Sequence, residues 1–235
     1  LLEFALVNYA ISSAVKAAED AGFSIFCLTV DTAVYSRRER DMIKRWAPSS
    51  RRGRLEASRD WQAALSWDNV KRFKERHDIP LILKGIASAE DALIAVEHGV
   101  EVVYVSNHGG RQLDHGRGTA EILPEIVEAV SGKAQVLVDG GIMRGTDVIK
   151  ALALGADAVC IGKLQGLALA AGGRAALVRM LELMEGEIMT SMALTGLHNF
   201  GEISPEFVEP AETVVYPNVY SQYTHIDLPP LEYDR

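Results

Sequence analysis

Several short stretches place chemistry-bearing residues directly after apolar runs. "YVSNHGGRQLDHG", Tyr104 to Gly116, sets His108 three residues before Arg111 among glycines. An imidazole exchanges a proton near neutral pH, and a guanidinium fork grips a planar carboxylate. Upstream, "LTVDT" ends on Thr29 and Asp31, with Arg37 and Arg38 beyond, and "LKG" ends on Lys84 and Gly85. Downstream, "VDGGIMRG" presents Asp139, Gly140, Gly141 and Arg144, and "IGK" presents Gly162 and Lys163. Glycine-rich turns that open helices can cradle a phosphate with their backbone N–H groups, helped by nearby cations. A His, a Lys, an Arg and two Asp at the ends of successive apolar runs, with a phosphate cradle among them, point to a functional site beside a phosphorylated cofactor.

These groups need a scaffold that brings strand ends together. Five apolar runs, within Ser24–Asp31, Pro80–Gly85, Glu101–Asn107, Ala134–Gly141 and Ala156–Lys163, are rich in β-branched residues and bounded by Gly or polar residues. They are continuous rather than alternating, as parallel strands covered on both faces read. Between them lie helical patterns: "SAEDALIAVEHG" opens on an N-cap serine and closes on glycine, and "TAEILPEIVEAVSG" and "GTDVIKALALGA" are similar. The spacing, mostly roughly 20 to 30 residues, suits βα units in a parallel α/β sheet. In a β/α barrel such strand ends meet at one face, where sites are built, with phosphate bound after the last two strands.

The bulk composition is that of a globular protein: 235 residues, 48% apolar, formal net charge −8. This balance speaks against general affinity for nucleic acid or anionic membrane, and no apolar run is long enough to span a bilayer. Cys27 and Cys160 lie in apolar runs and are expected to be reduced core residues, which favours a cytoplasmic location. No His/Cys cluster has metal-ligand spacing, so no metal is expected. Arg37 to Arg59, rich in Arg and Ser, reads as a long loop of the kind that often forms a lid. The chain divides into a βα body over 1–197 and an extended arm over 198–235. His98 at a helix end, Asp147 in a first turn, Trp61 and Trp67, and Glu182, Glu185 and Glu187 read as capping, packing and solvated residues respectively.

The motifs "LTVDT…RRERD", "ALSWDNVKRFK", "PLILKGI", "VSNHGGRQLD" and "VDGGIMRGTDVIKALALGADAV", in that order, resemble the FMN-dependent α-hydroxy acid oxidase/dehydrogenase family, which includes glycolate oxidase, lactate oxidase and mandelate dehydrogenase. The resemblance runs from about Ala14 to about Leu197. It implies a (β/α)8 TIM barrel, of which this chain supplies about five βα units. It implies FMN as cofactor and oxidation of an L-2-hydroxy acid to the 2-keto acid, with reoxidation by O2 or another acceptor. By the same resemblance His108 is the base, Asp31 orients it, and Arg111 and Arg38 bind the substrate carboxylate. Lys84 sits by the flavin, Thr29, Ser106 and Gly109 match flavin-contacting positions, and Asp139, Gly140, Gly141, Arg144, Gly162 and Lys163 match the ribityl and phosphate end. A homo-oligomer, a tetramer by analogy, is also implied.

The sequence departs from that pattern in three places. The resemblance begins near the family's fourth strand, so a partner chain, a longer parent or further residues are expected to complete the barrel. Met143 stands where many members carry a phosphate-binding Arg, with Arg144 next to it, and Lys163 replaces a common Arg. The loop after Arg38 is shorter than the family usually has. Two alternatives remain open: another FMN-barrel enzyme resembling type 2 isopentenyl diphosphate isomerase, and an inactive half-barrel acting as a subunit. The clamp of His108, Arg111 and Arg38 speaks against the first, and the retained His108, Asp31, Lys84 and Arg111 against the second.

Overall fold

The computed structural model describes residues 2–34, 43, 45, 63–113 and 115–211. Most of the expected loop at Arg37–Arg59, with Arg38, lies outside the described residues, as do Trp61 and 212–235 of the arm. Helix α1 (Leu2–Asp20) leads into β1 (Phe26–Thr29). Then come α2 (Trp67–Arg76), β2 (Leu81–Ile86), α3 (Ala89–Glu97), β3 (Val102–Val105), α4 (Thr119–Val130), β4 (Gln135–Val138), α5 (Gly145–Ala153), β5 (Ala158–Val159) and α6 (Lys163–Thr195). Four of the strands fall inside their apolar runs, and β2 extends one residue beyond Gly85, to Ile86. The five form one parallel sheet in sequential order, β1-β2-β3-β4-β5, as the wall of a β/α barrel is built.

Local chemistry sets the helix ends. Ser88 Oγ accepts the Asp91 N–H at the head of α3, and the His98 ring donates from Nδ1 to the Ile94 carbonyl at its tail. Trp67 packs against the His98 ring at a centroid distance of 5.4 Å. At the head of α2, Asn69 accepts from the Ser66 N–H (2.8 Å) and the Ser66 hydroxyl, and donates to Asn8 of α1 (3.3 Å). Helix α1 was not foreseen, yet it carries a core stripe of Val7, Ile11 and Val15 at helical spacing. Helix α6 breaks at Gly172 and Gly173, where Gly173 has φ 59 and ψ −143, a region that side chains avoid. Of the arm, the described part forms two short 3-10 turns, Phe200–Glu202 and Pro205–Phe207, and the second packs against α5.

The register separates two faces. Leu28, Leu83, Val103 and Val136 lie side by side, and Val105 beside Val138, under the helices. There they join Ile122, Ile126, Ala92 and Val70 in one core. The opposite, inner face carries Thr29, Lys84, Tyr104 and Leu137 in one row. These strands are therefore buried on one face and half-exposed on the other, rather than covered on both. Cys27 belongs to the inner face and is exposed, and Cys160 is half-buried. The expectation that both are core residues is corrected, because a continuous apolar run hides which residues turn inward.

The two ends of the sheet differ. At its N-terminal end, Glu101 Oε2 accepts the Leu81 N–H (2.8 Å) and Oε1 pairs with Lys74. Asp157 Oδ2 likewise accepts the Val136 N–H. Burial opposes ionisation of Glu101, but the Leu81 N–H and the Lys74 ammonium together hold it below the usual carboxylate range.

Two outcomes are expected. Asn69→Ala removes three hydrogen bonds of a fully buried side chain and lowers stability by about 1–3 kcal/mol, read from urea unfolding midpoints. Glu101 releases its proton more readily when folded than when unfolded. Its contribution is therefore full above the ordinary Glu value and is lost as pH falls through the folded value, so Glu101→Gln flattens the acid limb of a stability–pH profile.

Candidate active site

At the C-terminal ends of the strands, β2 holds the first structural device. Lys84 is paired with Tyr104 and Ile86 with Val105, so Gly85 is an extra residue, a bulge. Gly85 has φ +110, and a Cβ there would stand 2.6 Å from Asp31 Cγ. The bulge and the missing side chain make room for Asp31, which follows β1, to reach across the end of β2 to the loop after β3.

That loop is tightly wound. Asn107 accepts the Gly110 N–H on both its carbonyl and its side chain (3.1 and 3.0 Å). His108, Gly109 and Gly110 have φ values of 53, 64 and 72. The left-handed conformation costs a non-glycine residue about 1–2 kcal/mol, so His108 has to be held there. Its N–H donates to Ser106 Oγ (3.2 Å), and its ring lies between Asp31 and Lys84. Gln112 Nε2 donates to the Asp31 carbonyl (2.5 Å), tying the loop to the segment that carries its carboxylate.

The ring contacts define which nitrogen carries the proton. Nδ1 lies 2.5 Å from Asp31 Oδ2, so Nδ1–H donates to the carboxylate. Nε2 lies 3.4 Å from Lys84 Nζ and accepts from the ammonium. Nε2 is therefore the lone-pair end, suited to take a proton from a third molecule. Lys84 also donates to Ser106 Oγ (2.9 Å), lies 3.6 Å from Asp139 Oδ2, and stands 5.1 Å over the Tyr104 ring. Asp31, His108, Lys84 and Asp139 thus form a line in which two carboxylates flank two basic groups, with side chains only 14–28% exposed.

The expected cofactor-binding residues gather around this line in part. Thr29 stands beside Lys84 in the sheet. Gly140 (φ +97) and Gly141 (φ +79) follow Asp139 in left-handed conformations. A Cβ on Gly140 would strike Thr119 Oγ1 at 2.6 Å, whereas one on Gly141 would meet open space. Lys163 reaches Gly109, where a Cβ would stand 3.8 Å from its Nζ, and Gly162 precedes it at the head of α6. Arg111 is exposed on the same loop as His108. Arg144 turns elsewhere: it pairs with Glu187 of α6 (3.3 Å), and the other oxygen of Glu187 accepts the Gly145 N–H (2.7 Å). Asp147 accepts the Met143 and Arg144 N–H groups, so it is a capping acid, as expected.

Three contributors, Tyr104, Gln112 and Thr119, carried no expectation from the sequence, and a fourth, Glu187, expected to be a solvated residue, accepts the Gly145 N–H instead. The Gln112 signal was available, since it adjoins Arg111 in the same motif. The other three act through contacts between elements far apart in the chain.

Two buried carboxylate oxygens, Asp31 Oδ1 and Asp139 Oδ1, have no hydrogen-bond partner among the described residues. Leaving such an acceptor unsatisfied costs about 1–3 kcal/mol, and both lie in this site. Free acceptors, a half-buried ammonium and a left-handed Gly–Gly turn are the donor and acceptor set that a flavin with its polyol chain and phosphate requires, so the residues fit FMN.

The FMN-dependent dehydrogenase family matches residues 8–210. An L-lactate oxidase of Nostoc sp. is 40% identical over 215 residues, which is 83% of this chain and 59% of that protein. A peroxisomal (S)-2-hydroxy-acid oxidase of Oryza sativa subsp. japonica is 44% identical over 213 residues, 83% of this chain and 58% of that protein. A crystal structure of mandelate oxidase superposes with a TM-score of 0.74 at 42% identity, over 83% of this chain and 58% of that one. The chain thus spans less than two thirds of the length of these relatives, and its five strands are a segment of a (β/α)8 TIM barrel.

One substitution tests the geometry. In Gly85→Ala the Asp31 carboxylate is pushed off His108 and a left-handed site receives a Cβ, lowering stability by more than about 1 kcal/mol. The downfield imidazole N–H proton resonance expected of the short Asp31–His108 contact disappears, as it does in Asp31→Asn. Its survival in Gly85→Ala would make the bulge incidental.

Proposed function

The chain belongs to the FMN-dependent dehydrogenase family, and from that premise we propose that it carries the active site of an enzyme oxidising a 2-hydroxy acid to the 2-keto acid. The observation that carries this reading is the His108 ring, held by Asp31 at Nδ1 and presenting Nε2 beside Lys84. FMN, when bound, supplies the two-electron acceptor that these side chains cannot provide.

The chain's own residues do the rest. His108 Nε2 takes the proton that leaves the 2-hydroxy acid. Asp31 keeps the ring in the productive tautomer and stabilises the imidazolium that results. Arg111, with Arg38, holds the substrate carboxylate, fixing which face of the acid meets the base. Arg38 lies outside the described residues, and its role rests on the resemblance of its motif. Thr29, Lys84, Ser106 and Gly109 would hold the ring system of FMN, and Asp139, Gly140, Gly141, Gly162 and Lys163 its ribityl phosphate. Arg144, paired with Glu187, would have to leave that carboxylate to join them. Oxygen or another acceptor would complete the cycle. An L-lactate oxidase, (S)-2-hydroxy-acid oxidases and a mandelate oxidase among the relatives support small 2-hydroxy acids as the substrate class.

The test is the visible spectrum of the purified protein, recorded again after anaerobic addition of a panel of 2-hydroxy acids. Flavin bands that bleach with at least one acid are expected. Bands that no acid bleaches would sink the hydroxy acid assignment. In His108→Gln the bleaching rate falls by about 10²–10⁴-fold with the oxidised spectrum intact. An unaltered rate would remove the base from the reading.

A further inference from the structure

Tyr104 is a polar side chain in a row of the inner sheet face, and neither the base, the carboxylate clamp nor the glycine turns account for it. It stands in β3 beside Lys84 of β2 and Leu137 of β4. Its hydroxyl donates to Asp139 Oδ2 at 3.0 Å, and its ring lies under the Lys84 ammonium at 5.1 Å. Burial, the neighbouring Cys160 thiol and the Asp139 charge all push the Tyr104 phenol up, so it keeps its proton and remains a donor.

The consequence falls on Asp139. Oδ2 accepts the hydrogen bond of the phenol and faces Lys84, whereas Oδ1 is buried without a partner among the described residues. A carboxylate free to rotate would offer its two oxygens to Lys84 in turn, and no single direction would be left for another donor. With Oδ2 fixed by the phenol, Oδ1 has one fixed direction.

We propose that Tyr104 is a positioning residue for FMN: its hydroxyl locks the Asp139 carboxylate so that Oδ1 accepts a hydroxyl of the flavin's polyol chain, and its ring seats Lys84. The proposal rests on the reading of this site as an FMN site. Tyr104 acts through Asp139 and Lys84 and takes no part in moving the substrate proton.

The test compares four holoenzymes: wild type, Tyr104→Phe, Asp139→Asn, and the two changes combined. Phe retains the ring, its packing and its contact with Lys84, and removes only the hydroxyl. Dissociation of FMN on dilution is read by the fluorescence of the released flavin. Tyr104→Phe is expected to weaken FMN binding about tenfold, in line with loss of a hydrogen bond to a charged group. Added to Asp139→Asn, it is expected to weaken binding no further, because the group it positions has already been changed. Unaltered FMN binding in Tyr104→Phe would reduce Tyr104 to a space-filling residue and overturn the proposal. Equal losses in both backgrounds would mean that Tyr104 does not act through Asp139, which also overturns it. A wild-type protein that holds no FMN would instead bring down the underlying reading of the site, and this proposal with it.

Discussion

The contact between Asp31 and His108 is the constraint on which the site depends. The two residues follow β1 and β3, with β2 between them in the sheet. A side chain from one can reach the other only across the end of β2. The bulge at Gly85 and its lack of a Cβ provide that passage, while Gln112 ties down the Asp31 backbone from the far side. The left-handed backbone of His108 belongs to the same arrangement. It costs energy, and the Ser106 hydroxyl, the carboxylate and the ammonium together offset that cost. Strain of this kind persists only where the surroundings over-determine it, and here three strand ends do so.

The flanking of two basic groups by two carboxylates follows from the same placement. Asp31 and Asp139 flank His108 and Lys84, so neither the ammonium nor a protonated imidazole stands without a carboxylate near it. The groups are mostly shielded from water, where such pairing is felt more strongly than at an exposed surface. Lys84 stands beside Nε2, and the Asp31 carboxylate at Nδ1 sets an opposite charge on the other side of the ring.

Much of this was legible in the sequence. All five strands announced themselves as apolar runs ending in polar residues, and the residues at those ends are the ones the fold brings together: Thr29, Asp31, Lys84, Ser106, His108 and Asp139. Serine and glycine at helix ends worked equally well, as Ser88 shows. What the sequence hid depends on register and on packing between distant segments. A continuous apolar run does not reveal which residues turn inward, so Cys27 was placed in the core and Tyr104 was passed over. Glu187 read as a solvated face because its partner, the Gly145 N–H, comes from another helix. The stripe of Val7, Ile11 and Val15 in α1 is present in the sequence as a four-residue spacing, although neither α1 nor α2 figured among the expected helices.

The two ends of the sheet divide the work between stability and chemistry. At the N-terminal end, Glu101 and Asp157 each sit one residue before a strand and accept a backbone N–H of the preceding strand, leaving no donor of that pair unsatisfied. At the C-terminal end the opposite holds: a histidine is held in left-handed backbone, and two buried carboxylate oxygens have no partner among the described residues. A fold that gathered only satisfied groups at that end would be more stable and would have nothing left to offer a ligand. The rest of the sheet, with its outer face buried under the helices and its lower edge fastened by acids, holds Asp31 and Asp139 in place although their Oδ1 atoms find no partner among the described residues.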